Sequence, residues 1–149
     1  MTDGEQALVR SLFGTAIDVG PVTIRRRRWF PLQPVDTAMA PMGHIHFPAE
    51  HIDYADDFSA APLTSQGLFL HEMTHVWQAQ VRGRFWLVLM RHPFCRYDYA
   101  VRPGQPLTSY GIEQQAEIVR HTFLLRNGYP LRGAPPLAQL ESILPFRTE

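Results

Sequence analysis

Apolar positions along this chain fall mostly at helical spacing. Ala7, Leu8, Leu12 and Phe13 predict a short amphipathic helix over residues 5–13, with Gly14 as its stop. Leu68, Met73, Val76 and Trp77 predict a second over residues 65–80, and Phe69 and Leu70 widen its apolar surface until most sides read as buried. Pro62 with Thr64 or Ser65 marks its start, Gly83 marks its end, and Gly67 weakens its first turn. Ile112, Ala116, Val119 and Phe123 form the stripe of a third helix, which opens near Ser109 and stops at Asn127-Gly128. A short fourth is expected over residues 137–144, in a tail that then frays. Residues 19–30 and 43–47 read as strands, joined by a loop that Pro31, Pro34 and Pro41 punctuate. The run Phe85-Trp86-Leu87-Val88-Leu89-Met90 is a buried strand or a short helix, which periodicity does not decide; His92-Pro93 ends it. Together these elements predict an α+β fold in one domain over residues 1–149.

The second helix is buried yet carries His71-Glu72-Met73-Thr74-His75. Buried polar groups need partners. Residues four apart share a helix face, so the two imidazoles can converge on one cation, with Glu72 beside the first and within reach of a water at the open position. The pattern H-E-x-x-H is that of a zinc hydrolase site, in which zinc acidifies a water and the glutamate takes its proton. A pentapeptide with three fixed positions also arises by chance; the surrounding helix signals strengthen it. The third ligand is expected from Glu113 or Glu117, four apart on the third helix. One suits coordination, and the other suits accepting the N–H of a ligand histidine, which fixes its tautomer. A solvated pair of glutamates is the commoner fate of such a pattern.

Composition adds limits. Basic and acidic residues balance at 14 each, every basic one an arginine, so nothing argues for nucleic acid as a partner. The longest apolar run has six residues, far short of the ~20 that span a bilayer, and no signal-peptide pattern opens the chain, so a cytoplasmic start without a membrane partner is expected; export by a specialised secretion machine would leave no such trace. Cys95 is the single cysteine and fits a small buried hydrophobe. Arg25-Arg26-Arg27-Arg28 is more simply a solvated edge strand than a basic patch that orients an acidic partner. His44, His46 and His51 form a rival metal pattern, H-x-H-x4-H, and polar residues beside a cleft are the simpler account. Tyr99, Tyr110 and His121 are candidates for oxyanion or substrate contacts, each also explicable as structural.

The combination of H-E-x-x-H on one helix with Glu113-Gln114-Gln115-Ala116-Glu117 on a later one resembles the gluzincin zinc metallopeptidases. With Val76-Trp77-Gln78, Asp57-Phe58-Ser59 and Tyr97-Asp98-Tyr99, most of the chain is similar to small bacterial Vgr-related proteins associated with Rhs and VgrG secretion elements. The resemblance implies a small zincin-like (minigluzincin) domain, its short antiparallel or mixed sheet packed on the H-E-x-x-H helix and the glutamate-bearing helix. It implies Zn2+ held by His71, His75 and Glu113, Glu72 as general base, and Glu117 supporting His71. Glu117 stands where that group usually has Asp, so the two carboxylates could exchange roles. The implied function is hydrolysis of a peptide or protein substrate; the alternative is a catalytically silent adaptor or binding module with a secretion-system protein as partner. A chain this small is expected to leave little room for a deep specificity pocket.

Overall fold

The computed structural model describes residues 1–90 and 95–146. His92-Pro93 as a terminator, and the end of the fraying tail, lie outside the described residues. Helix α1 (Asp3–Phe13) opens on a reciprocal cap, in which Thr2 Oγ1 accepts from Glu5 N at 3.0 Å and Glu5 Oε2 accepts from Thr2 N at 2.8 Å. Gly14 ends it at φ 55°. Glu5 is buried because its other oxygen accepts from the Phe58 amide at 3.1 Å, which ties α1 to a 3-10 turn at Phe58–Ala60.

The expected strand over residues 19–30 shrinks to β1 (Ile24–Arg25), which pairs in parallel with β2 (Ile45–His46), Ile24 opposite Ile45 and Arg25 opposite His46. Two features shorten it. Gly20-Pro21 forms a turn before β1, and after the Phe47 N to Arg25 O bond the chain leaves the ladder in a turn closed by His51 N donating to the Pro48 carbonyl at 3.0 Å. Met39 adds an antiparallel bridge to His46. The fold is therefore α-rich, consistent with α+β, and its sheet is a two-stranded parallel pair rather than an antiparallel or larger mixed one.

Helix α2 (Leu63–Arg82) starts after Pro62 without a side-chain cap and stops at Gly83. Every residue from 69 to 79 is buried, so it is a central helix, as its all-round apolar surface predicts. Phe47, Phe58 and Phe69 stack in series, with centroids 5.2 and 4.9 Å apart, and pin β2 and the 3-10 turn to α2. Residues 85–90 resolve as a short helix, α3 (Trp86–Met90), which buries Leu87 and leaves Leu89 exposed. Helix α4 (Ile112–Arg126) makes the most extensive packing with α2, and α5 (Leu137–Ile143) buries Leu140 and Ile143. Gly67 is placed at the α2–α4 crossing, where a Cβ would lie 3.3 Å from Leu124 Cδ2 and 3.4 Å from Arg120 Cγ. The residue that weakens α2 as a helix thus lets α4 approach it closely.

Glu5→Ala strands the buried Phe58 amide. It is expected to lower the free energy of unfolding by about 2 kcal/mol, whereas Arg10→Ala on the exposed face of α1 should stay within about 0.5 kcal/mol of wild type. Urea denaturation of both variants checks this.

Candidate metal centre

The crossing of α2 and α4 brings together the residues that the two motifs single out. His71 and His75 lie one turn apart on α2, and Glu113 enters from the first turn of α4. Glu113 Oε2 lies 3.2 Å from His71 Nε2 and 3.1 Å from His75 Nε2. All three residues are buried, and one donor atom from each falls within 4.8 Å of the others. Among the described residues no other group of His, Cys, Asp or Glu could hold a metal ion; His44, His46 and His51 do not form one.

The hydrogen bonds behind the imidazoles fix what faces inward. Gln78 Nε2 donates to the Ile112 carbonyl at 3.0 Å and to Gln115 Oε1 at 3.0 Å, which leaves its Oε1 as the acceptor 2.9 Å from His75 Nδ1. His75 Nδ1 therefore carries a proton, and a neutral ring presents the Nε2 lone pair to Glu113. On His71, Glu117 Oε1 accepts from Nδ1 at 2.8 Å, with the same consequence. Two nitrogen lone pairs and a carboxylate oxygen thus meet at one buried point. Such an arrangement repels itself unless a cation or extra protons sit there. Without a metal the protons do so. Burial opposes charge on the His71 ring, but its bonds to Glu113 and Glu117 outweigh that and push it up to about 9. Burial likewise works against the Glu117 charge, and hydrogen bonds from His121 and His71 hold that carboxyl well below the usual range. The donor set suits zinc or another divalent transition ion, which would replace those protons.

Glu72 is buried beside this point, and its Oε2 has no hydrogen-bond partner among the described residues. The other expected site residues lie in outer positions. His121 Nε2 is 3.2 Å from Glu117 Oε2, and its Nδ1 is 2.7 Å from the Tyr99 hydroxyl, so both stand behind Glu117. The Tyr110 hydroxyl accepts from Arg102 N at 3.1 Å and donates to the Ala100 carbonyl at 3.4 Å, holding the preceding loop. Three participants lie in the motifs that carry the resemblance but had no role assigned from the sequence. Gln78 orients His75; Gln115 supports Gln78 and donates to the Tyr110 carbonyl at 2.6 Å; and the Tyr97 ring lies nearly parallel to that of His71, centroids 6.4 Å apart. A buried glutamine three residues past the second histidine was the available signal for the first. A cavity of about 520 Å³, bordered by Trp77, Trp86, Met90 and Ile112, has Glu113 in its lining but not His71, Glu72 or His75.

The chain is 40% identical, over 136 residues and 87% of its length, to the type VI secretion system spike protein VgrG2b of Pseudomonas aeruginosa. It spans 13% of that protein. The solved effector domain of Pseudomonas aeruginosa VgrG2b superposes with a TM-score of 0.75 at 36% identity, covering 97% of this chain and 82% of the domain. The chain belongs to the VgrG2b effector-domain family. No protein-family model matches it. The match to the VgrG2b effector domain covers nearly the whole chain, so α2, α4 and the site between them lie in a fold shared with that domain.

Gln78→Ala removes the acceptor that orients His75. It is expected to weaken zinc binding about 10- to 100-fold, while Gln80→Ala, on the exposed side facing Asp18, leaves it unchanged. Competition against a chromophoric chelator measures both.

Proposed function

We propose that the chain is a zinc-dependent peptidase domain that acts within a bacterial secretion apparatus of the VgrG type. The observation that carries the catalytic part is the buried, unpartnered Glu72 Oε2 next to the convergence of His71, His75 and Glu113. A site that only held a metal would need the ligands but no further carboxylate. The similarity to a type VI spike protein and its effector domain supports the secretion association, and it carries that association further than it carries cleavage.

His71, His75 and Glu113 would hold the zinc, which supplies Lewis acidity and acidifies water. Glu72 takes the proton of the attacking water and returns it to the leaving amine. Glu117 and Gln78 keep the Nδ1 protons in place, so that both Nε2 lone pairs stay directed inward. Burial, followed by the nearby Glu117 charge, keeps the Tyr99 phenol neutral, and it stays hydrogen-bonded to His121. The cavity at Glu113 offers an apolar seat for a side chain of the peptide or protein substrate. Glu113 rather than Glu117 is the third ligand on this reading, because its oxygen meets both Nε2 atoms whereas Glu117 meets the far nitrogen of His71.

A second reading keeps the metal and drops turnover: an adaptor or binding module whose partner is a secretion-system protein. The similarity to a spike protein and its effector domain favours it, since that likeness speaks for a secretion-system context and not for a reaction.

Glu72→Gln should retain one zinc per chain and lower cleavage of a proteome-derived peptide mixture about 10²- to 10⁴-fold. His75→Ala should lose the zinc as well. Mass spectrometry of the products with parallel metal analysis tests both. Undiminished cleavage by Glu72→Gln contradicts the mechanism; stoichiometric zinc without cleavage in wild type selects the adaptor.

A further inference from the structure

β1 and the segment after α2 gather positive charge that the metal centre does not use. Arg25, Arg27, Arg28 and Arg84 line a single hollow of about 570 Å³. Arg26, the remaining member of the run, is turned elsewhere: its guanidinium lies 4.8 Å over the Tyr54 ring, and its Nε donates to the Ala49 carbonyl at 3.2 Å. Among the described residues no acidic side chain lines the hollow. Arg28 approaches Glu50 only to 3.9 Å, and that carboxylate is largely exposed. Arg25 is held in place, its Nε donating to Thr23 Oγ1 at 3.2 Å, and the same hydroxyl is 3.1 Å from His44 Nδ1.

Two further features belong to the same hollow. His46 lines it from a buried position opposite Arg25, and its Nδ1 has no hydrogen-bond partner among the described residues. Trp29 forms part of the wall and is 39% exposed, so an indole surface borders the cationic groups. Burial first, and then the neighbouring Arg25 charge, keeps both His44 and His46 below the ordinary histidine range.

We propose that this hollow binds a compact ligand carrying phosphoryl groups. Four arginines lining one hollow of small-molecule size, one of them Arg28 with a nitrogen on the Pro31 carbonyl at 3.1 Å, call for several negative charges in a small volume. A di- or triphosphate concentrates charge in this way, whereas a peptide would need several acidic side chains folded into the same space. Planar guanidinium forks match phosphoryl oxygens bidentately. The Trp29 face suits a ring attached to the phosphates. The site is independent of the metal centre and of cleavage.

Calorimetric titration of the whole chain with inorganic pyrophosphate, and with ADP, tests the proposal. Saturable binding that weakens about tenfold or more in Arg25→Ala and in Arg84→Ala, and is unchanged in Arg26→Ala, supports it; Arg26→Ala removes the same charge from the same run without touching the hollow. The source of the phosphates is read separately with phosphatidylcholine vesicles that do or do not contain phosphatidic acid. Binding to the acidic vesicles that pyrophosphate competes away assigns a phosphorylated lipid headgroup, and binding of free pyrophosphate or ADP without vesicle binding assigns a soluble ligand. Lack of saturable pyrophosphate binding, equal weakening in Arg26→Ala, or binding of a poly-glutamate peptide alone overturns the proposal.

Discussion

Two imidazole lone pairs and a carboxylate oxygen directed at one buried point are the constraint on which the rest of this structure depends. His71 and His75 reach it from α2 and Glu113 from α4, all in an environment with little access to water. Burying one such group without a partner is costly, and burying three that repel is more so. The metal-free protein meets the cost by keeping a proton on His71, well above the usual range for histidine. A divalent cation would meet it better, because it satisfies all three donors at once and leaves room for water and substrate.

The surrounding fold keeps those donors from turning away. Gly67 permits the close α2–α4 approach. Gln78, Gln115 and the Tyr110 carbonyl form a chain of buried amides behind His75. Glu117, His121 and Tyr99 form a second chain behind His71, and it reaches into the loop before α4. On the opposite side of α2 the stacked Phe47, Phe58 and Phe69 rings fix the helix against β2 and the 3-10 turn.

The helices were the most readable part of the chain. Residues 65–80 and 109–127 have strong periodic patterns with proline or glycine at their ends, and α2 and α4 follow them within a few residues. Helical spacing put His71 with His75 on one face and Glu113 with Glu117 on another, but it left open which glutamate meets the histidines; Glu113 was singled out only by the gluzincin resemblance. The strands were not. Ile24 and Ile45 alternate with polar neighbours as longer strands would, but a ladder needs a partner, and the segments flanking Ile45–His46 do not supply one. Residues 85–90 were ambiguous because a short apolar run has no decisive period, and packing of Leu87 against α2 settles it as helix. The hydrogen-bond partners Gln78 and Gln115 lie inside the motifs that carry the resemblance, but their role depends on side chains 37 residues apart meeting, which spacing along one helix does not reveal. The arginine run reads as a solvated edge in the sequence, and only the fold brings Arg84 to it.

Anomalous diffraction at the zinc edge, from crystals of the zinc-loaded chain, tests the central claim most directly. The account predicts one strong peak between α2 and α4, about 2.0–2.1 Å from the Nε2 atoms of His71 and His75 and about 2.0–2.2 Å from a Glu113 oxygen, with Glu117 still bonded to His71 Nδ1. Zinc refined at other residues, or a well-ordered structure in which this position stays empty at saturating zinc, would contradict it.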